Sequence, residues 1–124
     1  MNAAERTAQS KNRALFKLCK EWQARLGLTD WEVDVQFRTI EEMEGNQGTC
    51  EPAPMLRTAV ILIGRAEDYP GADIEATLVH ELLHCYHHMG KRGSVAEMFE
   101  EQGVEATSKA LVKLKREADK LRSH

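Results

Sequence analysis

The chain has 124 residues, of which 42% are hydrophobic and 30% charged, and its formal net charge is −3. This length fits one domain over residues 1–124, with a single modest core. No apolar run reaches the roughly 20 residues that a bilayer span requires, and no basic stripe marks a nucleic-acid-binding protein. The charged N-terminus lacks the apolar segment of an export signal. We therefore expect a cytoplasmic protein without a membrane or nucleic-acid partner.

The three cysteines are Cys19, Cys50 and Cys85, an odd set without a Cys-x-x-Cys pair. This number and spacing argue against a disulfide framework and against a cysteine-rich zinc site. Reduced thiols are the expectation, in keeping with a cytoplasmic location.

The first half of the chain predicts a helix followed by a strand. Apolar residues recur with helical spacing from Leu15 to Leu26, and Gly27 follows as a natural C-terminal stop. From Trp31 to Phe37 apolar and polar residues alternate without a break. This alternation is the pattern of a half-buried strand.

The middle of the chain predicts a turn and one or two further strands. Residues 41–48 have the composition of a turn, and the prolines Pro52 and Pro54 restrict any strand after it to an edge or an irregular segment. Residues Arg57–Gly64 are short, β-branched and bounded by glycine, which favours a buried strand. A linker then leads to the next helix.

The second half predicts two helices. The first begins near Ala72 or Asp73, with Asp73 as the N-cap, and runs to Met89, after which a glycine ends it. The second begins at Ser94–Glu97, which has the form of a capping box, and continues to about Leu121. The order of elements predicts an α+β domain with a small, antiparallel or mixed sheet that is covered by helices on one side.

The predicted second helix carries His80-Glu81-Leu82-Leu83-His84, an H-E-x-x-H pattern. Four residues turn a helix through about 400°, so both histidines project from one face, about 6 Å apart along the axis. Two imidazoles with this spacing can bind one zinc ion, and Glu81 can contact a zinc-bound water as general base. The alternative is a chance match on an ordinary helix. His87 and His88 are interpreted as a polar helix end, with substrate contact as the alternative.

A catalytic zinc site needs a third protein ligand. The metzincin pattern is excluded, because it has a glycine where this chain has His87 and a histidine where it has Gly90. The acidic candidates on the last helix are Glu97, Glu100, Glu101 and Glu105. Glu97 already has a role in the capping box. Glu101 and Glu105 lie one turn apart, so one can bind zinc while the other holds a ligand histidine; in the alternative, both belong to a solvated acidic face.

The H-E-x-x-H pattern, followed on the next helix by Glu101-Gln102-Gly103-Val104-Glu105-Ala106, resembles the minimal zincins. More narrowly, it is similar to the small SprT-like and phage-encoded metallopeptidases. The resemblance extends over Trp31–Phe37, Val60–Ile63 and Glu75–Leu111. It implies a zincin-like α+β domain with a short, mainly antiparallel sheet. The Glu-x-x-hydrophobic pattern of such proteins matches Glu101, which favours this residue over Glu105.

This resemblance implies a zinc-dependent metallopeptidase that hydrolyses a peptide or protein substrate. His80, His84 and Glu101 would bind Zn²⁺, and Glu81 would take a proton from the zinc-activated water and donate it to the leaving amine. Zincins place an edge strand beside the cleft, where a peptide can add as a further strand. Arg57–Gly64 is the expected edge strand.

A binding or regulatory module is the second hypothesis. It would keep zinc and the zincin scaffold without turnover, and it is compatible with a phage origin. The charged last helix, with several lysines between Lys109 and Lys120, would then contact a partner, unless it is simply a solvated face. The presence of Glu81 argues against this hypothesis, since a structural zinc site has no need of a general base.

Overall fold

The computed structural model describes residues 1–86 and 95–122, without the side chains of residues 95–97 and 99. In these ranges the helices are α1 (Ala3–Arg25), α2 (Ile74–Leu83) and α3 (Val95–Arg122), and the strands are β1 (Glu32–Arg38), β2 (Gly48–Ala53) and β3 (Thr58–Gly64). The α+β prediction is confirmed at this level. No helix in the described ranges is both long and apolar enough to cross a bilayer.

Helix α1 forms as its sequence predicts. The side chain of Asn2 caps it by accepting a hydrogen bond from the backbone N–H of Glu5 at 2.8 Å. The face with Leu15, Cys19 and Trp22 is buried in the core. The chain leaves the helix through Gly27, whose φ of 72° is readily adopted by glycine.

The sheet has the strand order β1-β3-β2. Strand β3 pairs with β2 antiparallel and with β1 parallel. The sheet is therefore mixed, which is one of the two predicted alternatives, and the narrower expectation of mainly antiparallel pairing is wrong. The parallel pair arises because β2 and β3 form a hairpin and β1 lies on the β3 side of it, where β1 and β3 run in the same direction. The same order corrects a second expectation, because β3 (Thr58–Gly64) is the central strand and has no free edge.

One face of the sheet is covered by helices α1 and α2. Ile61 and Ile63 of β3 point into this layer and are fully buried, whereas Val60 between them is exposed on the other face. Alternation of this kind is what a sheet with one covered face requires. Helix α3 packs on α2, so α2 lies between the sheet and the last helix.

Helix α2 begins as predicted but ends earlier. Asp73 is its N-cap and accepts from the backbone N–H of Ala76 at 3.1 Å. The helix ends at Leu83 instead of Met89, because the next turn tightens: the backbone N–H of His84 bonds to Glu81 and that of Tyr86 to Leu83, three residues back. Met89 and its following glycine lie outside the described residues, as do Ser94 and the side chain of Glu97, on which the predicted capping box depends.

Helix α3 ends within one residue of the predicted Leu121. It buries Val104 and Val112 against the rest of the molecule. These two contacts position the N-terminal half of α3 beside the histidines of α2.

Candidate metal centre

The two predicted histidine ligands lie at the C-terminal end of α2. His84 is the C-cap, yet its φ of −64° and ψ of −17° are still helical. The four-residue spacing therefore keeps both rings on one face, with their centroids 5.2 Å apart and their planes at 66°. Both rings are largely buried, so they are held in place by packing before any metal binds.

Glu101 reaches this pair from α3. Its Oε1 lies 2.8 Å from His84 Nε2 and its Oε2 lies 3.2 Å from His80 Nε2. One ligand atom from each of the three residues lies within 4.8 Å of the others. The structure thus brings together the three residues that the sequence predicts as metal ligands.

Glu105 occupies a different place. Its Oε2 lies 2.6 Å from the far ring nitrogen of His80, Nδ1. A carboxylate can only accept, so Nδ1 is the donor of this contact. Nε2, which faces Glu101, is the ring nitrogen placed to bind a metal. Burial acts to raise the pKa of Glu105, but hydrogen bonds from Lys109 and His80 outweigh it and lower this pKa. Glu105 is therefore placed to orient a ligand, not to be one.

Among the remaining acidic and histidine candidates, Glu100 is the one whose side chain the structure describes. Glu100 is half-buried, and its Oε2 has no hydrogen-bond partner among the described residues. The side chain of Glu97 and the whole of His87 and His88 lie outside the described residues.

Glu81, the predicted general base, extends from α2 toward β2. Only 7% of its surface is exposed, and this burial is the main reason why its pKa is raised to about 7. His80 acts to lower this pKa, while Glu101 and Glu105 act to raise it further. A carboxyl group with a pKa near neutrality can both take up and release a proton under ordinary conditions.

No sequence pattern indicates that Gly48 of β2 contacts the predicted general base. A Cβ atom placed on Gly48 would lie only 2.9 Å from Glu81 Oε2. A glycine after a polar turn is unremarkable by itself, and only the packing of β2 on α2 reveals this contact.

The thiols of all three cysteines are free. Burial raises the pKa of Cys19 to about 11, and the contact with Cys85 together with burial raises the pKa of Cys50 well above its usual range. The hydrogen bond with Cys50 lowers the pKa of Cys85. The group of potential metal ligands in the described residues consists of His80, His84 and Glu101 and contains no cysteine, so its donors are nitrogen and oxygen atoms.

An open cleft of about 530 Å³ lies over the centre and is lined by His80, Glu101, Gln102, Glu105, Ala106 and Lys109. A larger cavity of about 790 Å³ lies elsewhere, between the first half of α1 and the segments that follow β1 and β3. None of the predicted ligands lines the larger cavity. The chemistry of the donors, not the size of the cavity, identifies the cleft as the candidate site.

Comparison of the chain with protein-family models, with curated proteins and with solved structures finds no match. The resemblance to small zincins thus depends on the H-E-x-x-H pattern and the acidic helix alone. Membership of that family stays a prediction.

Proposed function

We propose that this protein is a zinc-dependent metallopeptidase, on the single observation that His80, His84 and Glu101 converge at one point. Two imidazoles and one carboxylate form the donor set of many catalytic zinc sites, which leave a fourth position open. The same set also suits ferrous iron, so the identity of the metal is part of the test. Zinc is favoured by Glu81, a general base directly beside a ligand.

The residues around the ligands fit this role. Glu105 accepts from His80 Nδ1 and thereby fixes the tautomer in which Nε2 can bind a metal. When bound, zinc supplies Lewis acidity, which lowers the pKa of a bound water and polarises a peptide carbonyl.

Glu81 would perform the proton transfers. This carboxyl group, whose pKa in the metal-free protein is raised to about 7 by burial, would accept a proton from water and then donate it to the leaving amine. The charge of Glu101 and Glu105 nearby contributes to this raised pKa, so ligands and base are electrostatically linked.

The free edge of β2 is the proposed peptide-binding edge, in place of the central strand β3. The carbonyl of Gln47 accepts from the backbone N–H of Gly64 at 2.7 Å. In an antiparallel pair the backbone groups alternate in direction, so those of Gly48 and Cys50 face outward. Pro52 has no N–H to offer, and a peptide would thus find backbone donors only at Gly48 and Cys50.

The test combines metal analysis with cleavage of a peptide library. We expect about one zinc per chain, cleavage that a chelator abolishes, and a Glu81→Gln variant that retains zinc but loses roughly 10²- to 10⁴-fold in rate. The matched control is Glu117→Gln, which neutralises an exposed carboxylate of α3.

Two results would contradict the proposal. If the purified protein does not bind zinc at neutral pH, the proposed metal centre is wrong. If Glu81→Gln cleaves peptides at the wild-type rate, Glu81 is not the general base. Zinc without cleavage of any peptide would favour the non-catalytic module.

A further inference from the structure

We infer that Gly48 is a positioning residue for Glu81: its lack of a side chain lets β2 approach α2 closely and fix the carboxylate in one place. The contact itself is independent of any activity. Its catalytic consequence rests on the proposed function, in which Glu81 is the general base.

The geometry leaves no room for a side chain at this point. A Cβ on Gly48 would lie 2.8 Å from Thr77 Cγ2, 2.9 Å from Glu81 Oε2 and 3.1 Å from Glu81 Cγ. Ordinary carbon contacts are about 3.5–4.0 Å, so even a methyl group requires some neighbour to move.

Glu81 is the neighbour that would move. Thr77 is β-branched and thus restricted at χ1 in a helix, and its hydroxyl donates to the backbone carbonyl of Asp73 at 3.0 Å. Strand β2 is held by its ladder with β3, in which Gly48 pairs with Ile63. The flexible element at this contact is the Glu81 side chain.

Displacement of Glu81 should impair proton transfer without removing the metal. None of the atoms closest to the Cβ position belongs to His80, His84 or Glu101. A shift of about 1 Å in a reacting group can cost on the order of 10²-fold in rate. The expected signature is a fall in kcat at unchanged metal content.

The first experiment compares Gly48→Ala with Gly103→Ala in the full chain. A Cβ on Gly103 meets nothing within 4 Å, so this variant makes the same substitution without a clash. We expect Gly48→Ala to bind one zinc, to keep its KM and to lose roughly 10- to 100-fold in kcat. Gly103→Ala should keep the wild-type kcat.

The second experiment measures the contact without any activity. Thr77→Ser retains the hydroxyl and removes Cγ2, so in that background Glu81 is the remaining obstacle to a methyl at position 48. We expect Gly48→Ala to lower the thermal midpoint of metal-free Thr77→Ser protein, and to lower it much less once Glu81→Ala is also present.

The outcomes separate this inference from the proposed function. An equal effect of Gly48→Ala with and without the Glu81 side chain overturns the inference, as does an unchanged kcat in an active enzyme. If the midpoints show the coupling but the wild-type protein cleaves nothing, the proposed function fails while Gly48 still positions Glu81.

Discussion

The two ends of the interface between α2 and α3 use carboxylates in opposite ways. At the N-terminal end of α2, Asp73 pairs with Arg116 at 2.9 Å, and Glu75 pairs with Lys115. Each carboxylate there is thus paired with a lysine or arginine side chain, which stays positively charged at ordinary pH. At the other end, two carboxylates of α3 face the imidazoles of α2, which are charged only when protonated.

This difference indicates which end is structural. Lys109 is the one lysine or arginine paired with the carboxylates at the histidine end, within the described ranges, and its side chain is 70% exposed. Negative charge there is thus only weakly compensated, and Glu81 adds another carboxyl group. An excess of carboxylates around two imidazoles is favourable for binding a divalent cation. At the N-terminal end of α2, which we call the compensated end, each carboxylate is already paired with a lysine or an arginine and no further cation is needed.

The largest effect on metal binding should come from Glu101→Gln, which removes a negative charge from the histidine end of the interface. If Glu101 is the third ligand, zinc content should fall far below one equivalent, with loss of any hydrolysis. Metal analysis after dialysis checks this, with Glu117→Gln as control. Full zinc binding in Glu101→Gln, combined with its loss in Glu105→Gln, would reverse the roles of these two residues.

The next largest effect should come from Lys115→Met at the compensated end. Glu75 and Lys115 are only 15% and 13% exposed, and the carboxylate also accepts from Trp22 Nε1 at 2.7 Å. Removing one partner of a buried ion pair costs about 3–5 kcal/mol, and we expect the lower end because Trp22 and Arg116 remain.

Denaturant unfolding of Lys115→Met measures this cost, and the exposed Lys113→Met serves as control. Zinc content per folded chain should not change. A loss in unfolding free energy no greater than that of the control would contradict a structural role for this end of the interface.

How much of the fold and of the candidate site can be predicted from the sequence depends on how far apart in the chain the contacting residues are. The spacing of His80 and His84, the N-cap at Asp73 and the stop at Gly27 follow from a few neighbouring residues, and the structure has them where the sequence places them. Resemblance alone favours Glu101 over Glu105, because both residues lie on nearly the same face of one helix. Their separate contacts need the placement of α3 on α2.

The errors concern longer-range features. The parallel pairing of β1 with β3 depends on which side of the hairpin remains open, and alternation of apolar residues carries no information about this. The early end of α2 follows from tightened hydrogen bonding at His84–Tyr86, where Tyr86 also donates to the carbonyl of Leu26. The role of Gly48 appears only when β2 is packed on α2.

A smaller effect is expected for Glu105→Ala, which removes the acceptor of His80 Nδ1. Partners of this kind are worth roughly 10- to 100-fold in metal affinity, so zinc should still bind, but more weakly. Competition with a chromophoric chelator gives the affinity. Thr107→Ala, an exposed change on the same helix, is the control, and equal affinities would show that Glu105 does not orient His80.

The smallest effect is a pH dependence at the compensated end. The hydrogen bond from Arg116 holds the pKa of Asp73 below its usual range. The folded state then binds fewer protons than the unfolded state, so this stability is fully present above the unfolded pKa of about 3.9 and is lost as pH falls through the lower, folded value. Since Asp73 and Arg116 are 43% and 51% exposed, the pair should contribute at most about 1 kcal/mol.

Asp73→Asn isolates this charge, because asparagine is as good an N-cap as aspartate. We expect the variant to be slightly less stable than wild type at pH 7 and equally stable at pH values well below the folded pKa of Asp73. Urea unfolding of the metal-free proteins across this range measures the difference. If the difference in unfolding free energy is the same at every pH, it comes from the N-cap and not from the ion pair with Arg116. The compensated end would then owe its stability to Glu75 and Lys115 alone.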